Sequence, residues 1–302
     1  MVERKSPILI ERTHTGPMLH DRVDALTFKP LSPLEGTRPL IFIPGYMANA
    51  NPRISKNLGE RLSSQGRETH IIGFDRYYRG RKISQKAQDK DTSINKPNKK
   101  DPSVISFNQA VALLEYIDAN GIEKADLAAH SFGMQAALYA VAMAPERFAN
   151  VIGVTPTGIS KKYPMEKLTR TFLRQSNRDM KVDLKDPDRR RTTAKFMAAG
   201  GRHMLAHPLR VLLYERKAVQ GTGFTKFVKR CIEDPQYPNL KLLLANRDST
   251  FGPESTKIEH EVFPGRHNDI LSDRWTDKLH TMLLEMDQEQ KAHTQDSMAL
   301  VA

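Results

Sequence analysis

The chain has 302 residues, 39% hydrophobic and 27% charged, with a formal net charge of +12. That length accommodates one large α/β domain with an insertion, and no apolar run approaches the roughly 18 residues that cross a bilayer as a helix. The one cysteine, Cys231, excludes an intramolecular disulfide and suits a reducing compartment, so a cytoplasmic location is expected.

Taken in order, short apolar runs predict strands at 8–11, 39–44 (PLIFIP), 70–74 (HIIGF), 126–130 (DLAAH), 151–154, 240–245 (LKLLLA) and 257–263. The apolar stretch at 7–10 is too short for the core of a secretory signal. Helical patterns alternate with the strands. Residues 52–65 carry Ile54, Leu58 and Leu62 at four-residue spacing and stop at Gly66. Ser106 and Gln109 form a Ser-x-x-Gln capping box ahead of Ala110, Leu113, Leu114 and Ile117, and Gly121 ends that helix. Residues 133–144 (GMQAALYAVAMA) read as a helix of small side chains, and 272–289 as one burying Trp275, Leu279, Met282, Leu283 and Met286. Strands alternating with helices of this length predict an α/β fold, a mostly parallel central sheet with helices on both faces.

Two segments interrupt the alternation. Residues 79–102 are polar and basic and read as a long surface loop. Residues 157–238 contain no strand pattern but three helical ones, at 164–174, 192–207 and 209–219, so they are expected to form a helical cap or lid. The core then comprises 1–156 and 239–287, with 288–302 as a mobile tail.

The strand at 126–130 ends abruptly in Ala129-His130-Ser131-Phe132-Gly133. A strand turns directly into a helix only where the flanking positions are small, and here Ala129 and Gly133 stand two residues either side of Ser131. Such a turn holds a serine hydroxyl in a strained, exposed position at the carboxyl edge of a sheet. The pattern resembles the nucleophile elbow of the α/β-hydrolase family, with Ala129 in place of the commoner first glycine.

The resemblance covers residues from about 38 to 287 and implies further roles, in the chain order nucleophile, acid, base. Asp248, after the strand 240–245, stands at the acid position, and His267, in Gly265-Arg266-His267 after the last predicted strand, at the base position. An oxyanion pocket would take the backbone N–H of Phe132 and that of Tyr46, in the turn Pro44-Gly45-Tyr46. Residues 73–80 only loosely resemble the family's D-x-R-G-x-G loop. Asp269 competes with Asp248 as the acid and is expected to face solvent. His130, directly before the serine, points away from the hydroxyl and is expected to pack. His203 and His207 lack a carboxylate motif that would make them metal ligands. No metal or organic cofactor is expected.

The charge is uneven. Residues 161–217 hold 16 Lys/Arg against 6 Asp/Glu, so a local excess of ten accounts for most of the net +12. Besides a merely solvated face, two functional readings follow for Arg170, Arg174, Arg178, Arg189, Arg190 and Arg191: contact with an anionic group of the substrate, or docking on an anionic membrane. Nucleic acid is not expected, since few aromatics accompany the charge. The resemblance implies a serine hydrolase acting on a carboxylic ester, with lipid-like esters among the candidates. Amide, thioester or carbon–carbon hydrolysis, acyl transfer, and a non-catalytic ligand-binding role are the alternatives.

Overall fold

The computed structural model describes residues 8–15, 23–45, 56–74, 104–159, 224–248, 251–267, 269 and 272–301, with isolated positions between 166 and 198. Eight strands form one sheet: β1 (Ile8–Thr15), β2 (Val23–Pro30), β3 (Leu40–Ile43), β4 (Thr69–Phe74), β5 (Ala125–His130), β6 (Phe148–Val154), β7 (Asn239–Ala245) and β8 (Glu261–Phe263). Their spatial order is β1-β2-β4-β3-β5-β6-β7-β8. β1 and β2 join antiparallel at one edge, and every pair from β4 through β8 is parallel. The helices described over their length are α1 (Lys56–Ser64), α2 (Val104–Ala119), α3 (Gly133–Met143), α4 (Thr225–Glu233) and α5 (Asp273–Val301).

The central strands are apolar without interruption because both faces are covered. Successive side chains still alternate between two cores. Ile41, Ile43, Leu127, Ala129, Val151 and Leu242 enter the core with α2, α3 and α4. Leu40, Phe42, Ala128, Ile152, Val154 and Leu243 enter the core with α1 and α5. Parallel pairing from β4 through β8 gives these strands one common direction, so the ends of β5, β7 and β8 lie along one edge.

The structure departs from the sequence reading in several places. β2 was not anticipated. Its alternation runs through Val23 and Ala25 on one face and Leu26 and Phe28 on the other, but Asp24, Thr27 and Lys29 break the apolar run. β8 keeps only three of the seven residues expected, with Val262 half-exposed on the edge. Ser106 is not a helix cap. Val104 and Ile105 are buried and helical ahead of it, and the Ser106 hydroxyl donates sideways to Gln135 Oε1 at 3.3 Å.

The segment expected as a mobile tail from 288 is instead the second half of α5, which stays helical to Val301. Its continuation is anchored by Gln290, whose side-chain amide donates to the Ala149 carbonyl at 2.9 Å. α4 was also missed. Phe224, Phe227, Val228 and Cys231 lie in the main core, so the chain has rejoined the sheet before residue 238, where the expected cap boundary stood. Burial pushes the Cys231 thiol up to about 12, which makes it a packed, unreactive group. Its presence therefore says nothing of the compartment.

At the amino ends of the strands lies a buried charge cluster. Arg67, fully buried, donates to Asp126 at 2.5 Å and to Asp287 at 2.9 Å. Arg38 donates to the same two carboxylates, and Asn150 bridges them at 3.0 and 2.9 Å. Asp126 opens β5, Asn150 sits in β6 and Asp287 in α5, so the cluster fastens the last helix to the sheet. Among the described residues no helix is long and apolar enough to cross a membrane.

Candidate active site

β5 ends at His130, and Ser131 follows with φ of +50°. A β-carbon is strained in that left-handed region, so the conformation persists only where its surroundings fix it. They do so on both sides of the residue. The Ser131 N–H donates to the Val154 carbonyl at 2.9 Å, and its carbonyl accepts from Met134 N–H at 3.2 Å and Thr157 N–H at 3.1 Å. The Thr157 hydroxyl points to the same carbonyl at 3.5 Å and is itself held by the Gln135 amide at 3.1 Å.

Gly133 is required by close approach. A β-carbon there would come within 2.7 Å of the Ile43 and Pro44 carbonyl oxygens, so only glycine lets α3 start against the end of β3.

The buttress of Gln135 and Thr157 was not anticipated from the sequence. The signal available was a lone polar residue, Gln135, in an otherwise apolar helix, where a buried amide must find partners. Thr157, assigned to the start of the cap, belongs to the elbow. The chain reaches it through Thr155, a second non-glycine residue with positive φ, at +40°. Thr155 is fully buried and its hydroxyl has no hydrogen-bond partner among the described residues.

Three side chains meet at the carboxyl edge. His267 Nε2 lies 2.9 Å from Ser131 Oγ, and His267 Nδ1 lies 2.6 Å from Asp248 Oδ2. The carboxylate can only accept, so Nδ1 carries the proton and Nε2 presents its lone pair to the serine hydroxyl. The other oxygen of Asp248 accepts the Phe251 N–H at 2.9 Å. The Phe251 ring stands 5.5 Å from that of His267 and walls the pair from solvent. Ser131, Asp248 and His267 are 6%, 5% and 8% exposed, so their hydrogen bonds act in a medium poorer than water.

Asp269 does not reach His267. Its carboxylate accepts the Arg266 backbone N–H and guanidinium, both at 2.9 Å, and is part-buried, not turned to solvent as expected.

His130, expected to pack, does more than fill space. Its Nε2 lies 2.8 Å from the backbone carbonyl of His267, and the two rings are 4.9 Å apart. Burial, aided by the neighbouring His267, pushes its pKa down to about 3. The buried imidazole is therefore neutral at ordinary pH, with Asp248 the nearby opposing charge. Between pH 3 and 6.5 the unfolded chain binds this proton and the folded chain does not, so stability rises with pH across that window. His130→Gln carries no such proton. Urea unfolding at pH 7 and pH 4.5 should show a steeper loss on acidification for wild type than for this variant; parallel losses would contradict the assignment.

Of the two backbone donors expected for an anion pocket, Phe132 is buried at the head of α3, while Tyr46 lies outside the described residues. The residue before it, Gly45, is placed: a β-carbon there would sit 3.0 Å from Ser131 Cβ and 2.9 Å from His130 Nδ1. The loop after β3 therefore runs directly over the elbow. Arg170, Arg174, Arg178 and Arg190 are helical and exposed; Arg189, Arg191, His203 and His207 lie outside the described residues. No cluster of three or more His, Cys, Asp or Glu side chains suited to a metal occurs among the described residues.

A family model described as alpha/beta hydrolase fold matches residues 38–242, more than half of the chain. The chain belongs to the α/β-hydrolase family. No curated protein matches it. Among solved structures, it is similar to a serine hydrolase from the polyaromatic-hydrocarbon-degrading bacterium Cycloclasticus zankles, at 11% identity over 92% of this chain and 99% of that one, with a TM-score of 0.58. A membrane phospholipase A, a bacterial virulence factor, matches at 15% identity over 92% and 87%, TM-score 0.56. Naproxen esterase from Bacillus subtilis matches at 14% over 92% of both chains, TM-score 0.51. At these identities the likeness is one of fold, shared across nearly the whole α/β-hydrolase core.

Proposed function

We propose that the protein is a serine hydrolase that cleaves carboxylic esters through an acyl-enzyme, with Ser131, His267 and Asp248 as its triad. The observation that carries this reading is the continuous hydrogen-bonded line from Ser131 Oγ through the His267 ring to Asp248, with distances of 2.9 and 2.6 Å. His267 takes the hydroxyl proton at Nε2 as Oγ attacks the acyl carbon, and Asp248 balances the imidazolium that forms. The backbone N–H groups of Phe132 and Tyr46 would meet the oxyanion. The proton then passes to the leaving alcohol, and a water activated by His267 releases the acid and restores the serine.

The same line of groups serves amide and thioester bonds, so the test compares bond types. A p-nitrophenyl ester series of increasing acyl length, with a matched thioester and anilide, is run on wild type and Ser131→Ala. Esters should be hydrolysed fastest, with an optimum that sizes the acyl pocket, and Ser131→Ala should fall to the buffer rate. Equal rates for both proteins, or no fluorophosphonate labelling of wild type, would point to a non-catalytic binding member of the family.

The exposed Arg170, Arg174 and Arg190 support a cap that meets an anionic group, either on the substrate or on a membrane surface. Reversing all three charges should raise KM for anionic esters while leaving neutral short-chain esters unchanged. An equal effect on both classes would count against that role.

A further inference from the structure

Besides the Ser106–Gln135–Thr157 buttress, three buried polar groupings outside the triad stand out among the described residues. The Arg67 guanidinium is taken up by Asp126 and Asp287, and the Glu68–His70–Tyr116–Thr27 chain links β4, α2 and β2, with Tyr116 fully buried. The third, His130, lies between two loops that the proposed chemistry needs.

We infer that His130 is a positioning residue for the base: its Nε2–H holds the main-chain carbonyl of His267 and so keeps the His267 ring between Asp248 and Ser131. The inference rests on the serine-hydrolase reading above. Four observations carry it. The Nε2-to-carbonyl distance is 2.8 Å, and because a carbonyl only accepts, the proton must sit on Nε2. His130 and His267 are both buried, so this hydrogen bond acts in a medium poorer than water. The opposite ring nitrogen faces Gly45, where a β-carbon would collide with both it and Ser131 Cβ, so the imidazole is wedged between the base loop and the loop after β3. Finally, His267 stands on a loop four residues past the end of the last strand. That loop is tied to the one after β7 at Gly265, which donates to Asn246 Oδ1 at 3.1 Å and accepts the Arg247 N–H at 2.9 Å, and His130 supplies the hold at His267 itself. A loop-borne ring needs a main-chain tether if it is to span two hydrogen bonds at once.

The neutral state of His130 matters to this role. A second imidazolium 4.9 Å from His267 would oppose the positive charge that forms there when the serine proton is taken up. A neutral donor tethers without repelling, which a lysine or arginine at the same position could not do.

The test uses two variants of the full chain. His130→Phe keeps a ring of similar size and removes the donor; His130→Gln keeps an N–H at about the reach of Nε2 without a ring. His130→Phe is expected to lower kcat about 10- to 100-fold, the range that a displaced catalytic group costs, with KM within about twofold of wild type. His130→Gln should recover kcat to within about fivefold of wild type. The fluorophosphonate labelling rate should follow kcat in both.

A His130→Phe protein that melts like wild type and keeps its kcat would overturn the tether. So would a His130→Gln protein that melts like wild type but is as slow as His130→Phe, since the donor would then be irrelevant. Should His130→Phe fail to fold, the His130→Gln comparison with wild type decides alone: kcat within about fivefold supports the tether, and a larger loss in a folded protein rejects it. If wild type neither turns over esters nor labels, the serine-hydrolase reading fails first, and that outcome is distinct from either variant result.

Discussion

Asp248→Asn should lower kcat by about four orders of magnitude and His267→Ala by about six, with KM within a few-fold of wild type. The Asp248 effect follows from the second hydrogen bond of its carboxylate. Oδ1 accepts the Phe251 N–H at 2.9 Å while Oδ2 faces His267 Nδ1 at 2.6 Å. In the asparagine variant the amide oxygen is drawn to the Phe251 N–H, leaving the NH2 group to face Nδ1. That donor forces Nδ1 to accept, which moves the imidazole proton to Nε2, where it blocks uptake of the Ser131 proton. The double variant should be no slower than His267→Ala, because the carboxylate acts only through the ring. Stopped-flow release of p-nitrophenol measures all three. An Asp248→Asn enzyme retaining more than about a tenth of wild-type kcat would remove Asp248 from the mechanism.

Arg67→Met should destabilise the fold by about 3–5 kcal/mol, the loss typical of a buried charge deprived of its partner. The guanidinium is fully buried and joins Asp126 to Asp287. Its removal leaves both carboxylates enclosed, with the half-buried Arg38 and the neutral Asn150 between them. Adding Asp126→Asn and Asp287→Asn to Arg67→Met should restore most of the lost stability, because neutral amides can keep the hydrogen bonds without the charge. The cluster lies at the amino ends of the strands, away from Ser131, so kcat per folded molecule should not change. Urea midpoints together with active-site titration separate the two effects. A single variant within about 1 kcal/mol of wild type would show that the two carboxylates share a proton or admit water instead.

Much of the architecture was legible because burial on both faces writes itself into the sequence as uninterrupted apolar runs. PLIFIP, HIIGF, DLAAH and LKLLLA became β3, β4, β5 and β7 within one or two residues. Strand ends were legible too, and with them the placement of Ser131, Asp248 and His267 along one edge. What escaped was whatever depended on long-range partners. β2 lies at the antiparallel side of the sheet, where Thr27 and Ala25 suffice to pack and no continuous apolar run is needed. Ser106 matched a capping box by local chemistry, but the burial of Val104 and Ile105 carried the helix past it. Asp126 looked like the polar start of a strand, and nothing near it in sequence revealed Arg67 or Asp287. The continuation of α5 was hidden for the same reason: Gln290 is an ordinary polar residue until the Ala149 carbonyl is seen beside it.

The left-handed backbone of Thr155 has a consequence for how this protein can change. A β-branched residue at φ +40° is a stored cost of order 1–3 kcal/mol, and it sits one strand over from a serine under similar strain. Selection for heat resistance alone would relax such positions first, because relief there is the easiest gain the chain offers. Each such gain would loosen the turn that brings Thr157 to the Ser131 carbonyl. Robustness that spares the elbow has to be sought at the far edge of the sheet, which means that this protein's hardiness and the geometry of its elbow are written in different residues and can be inherited separately.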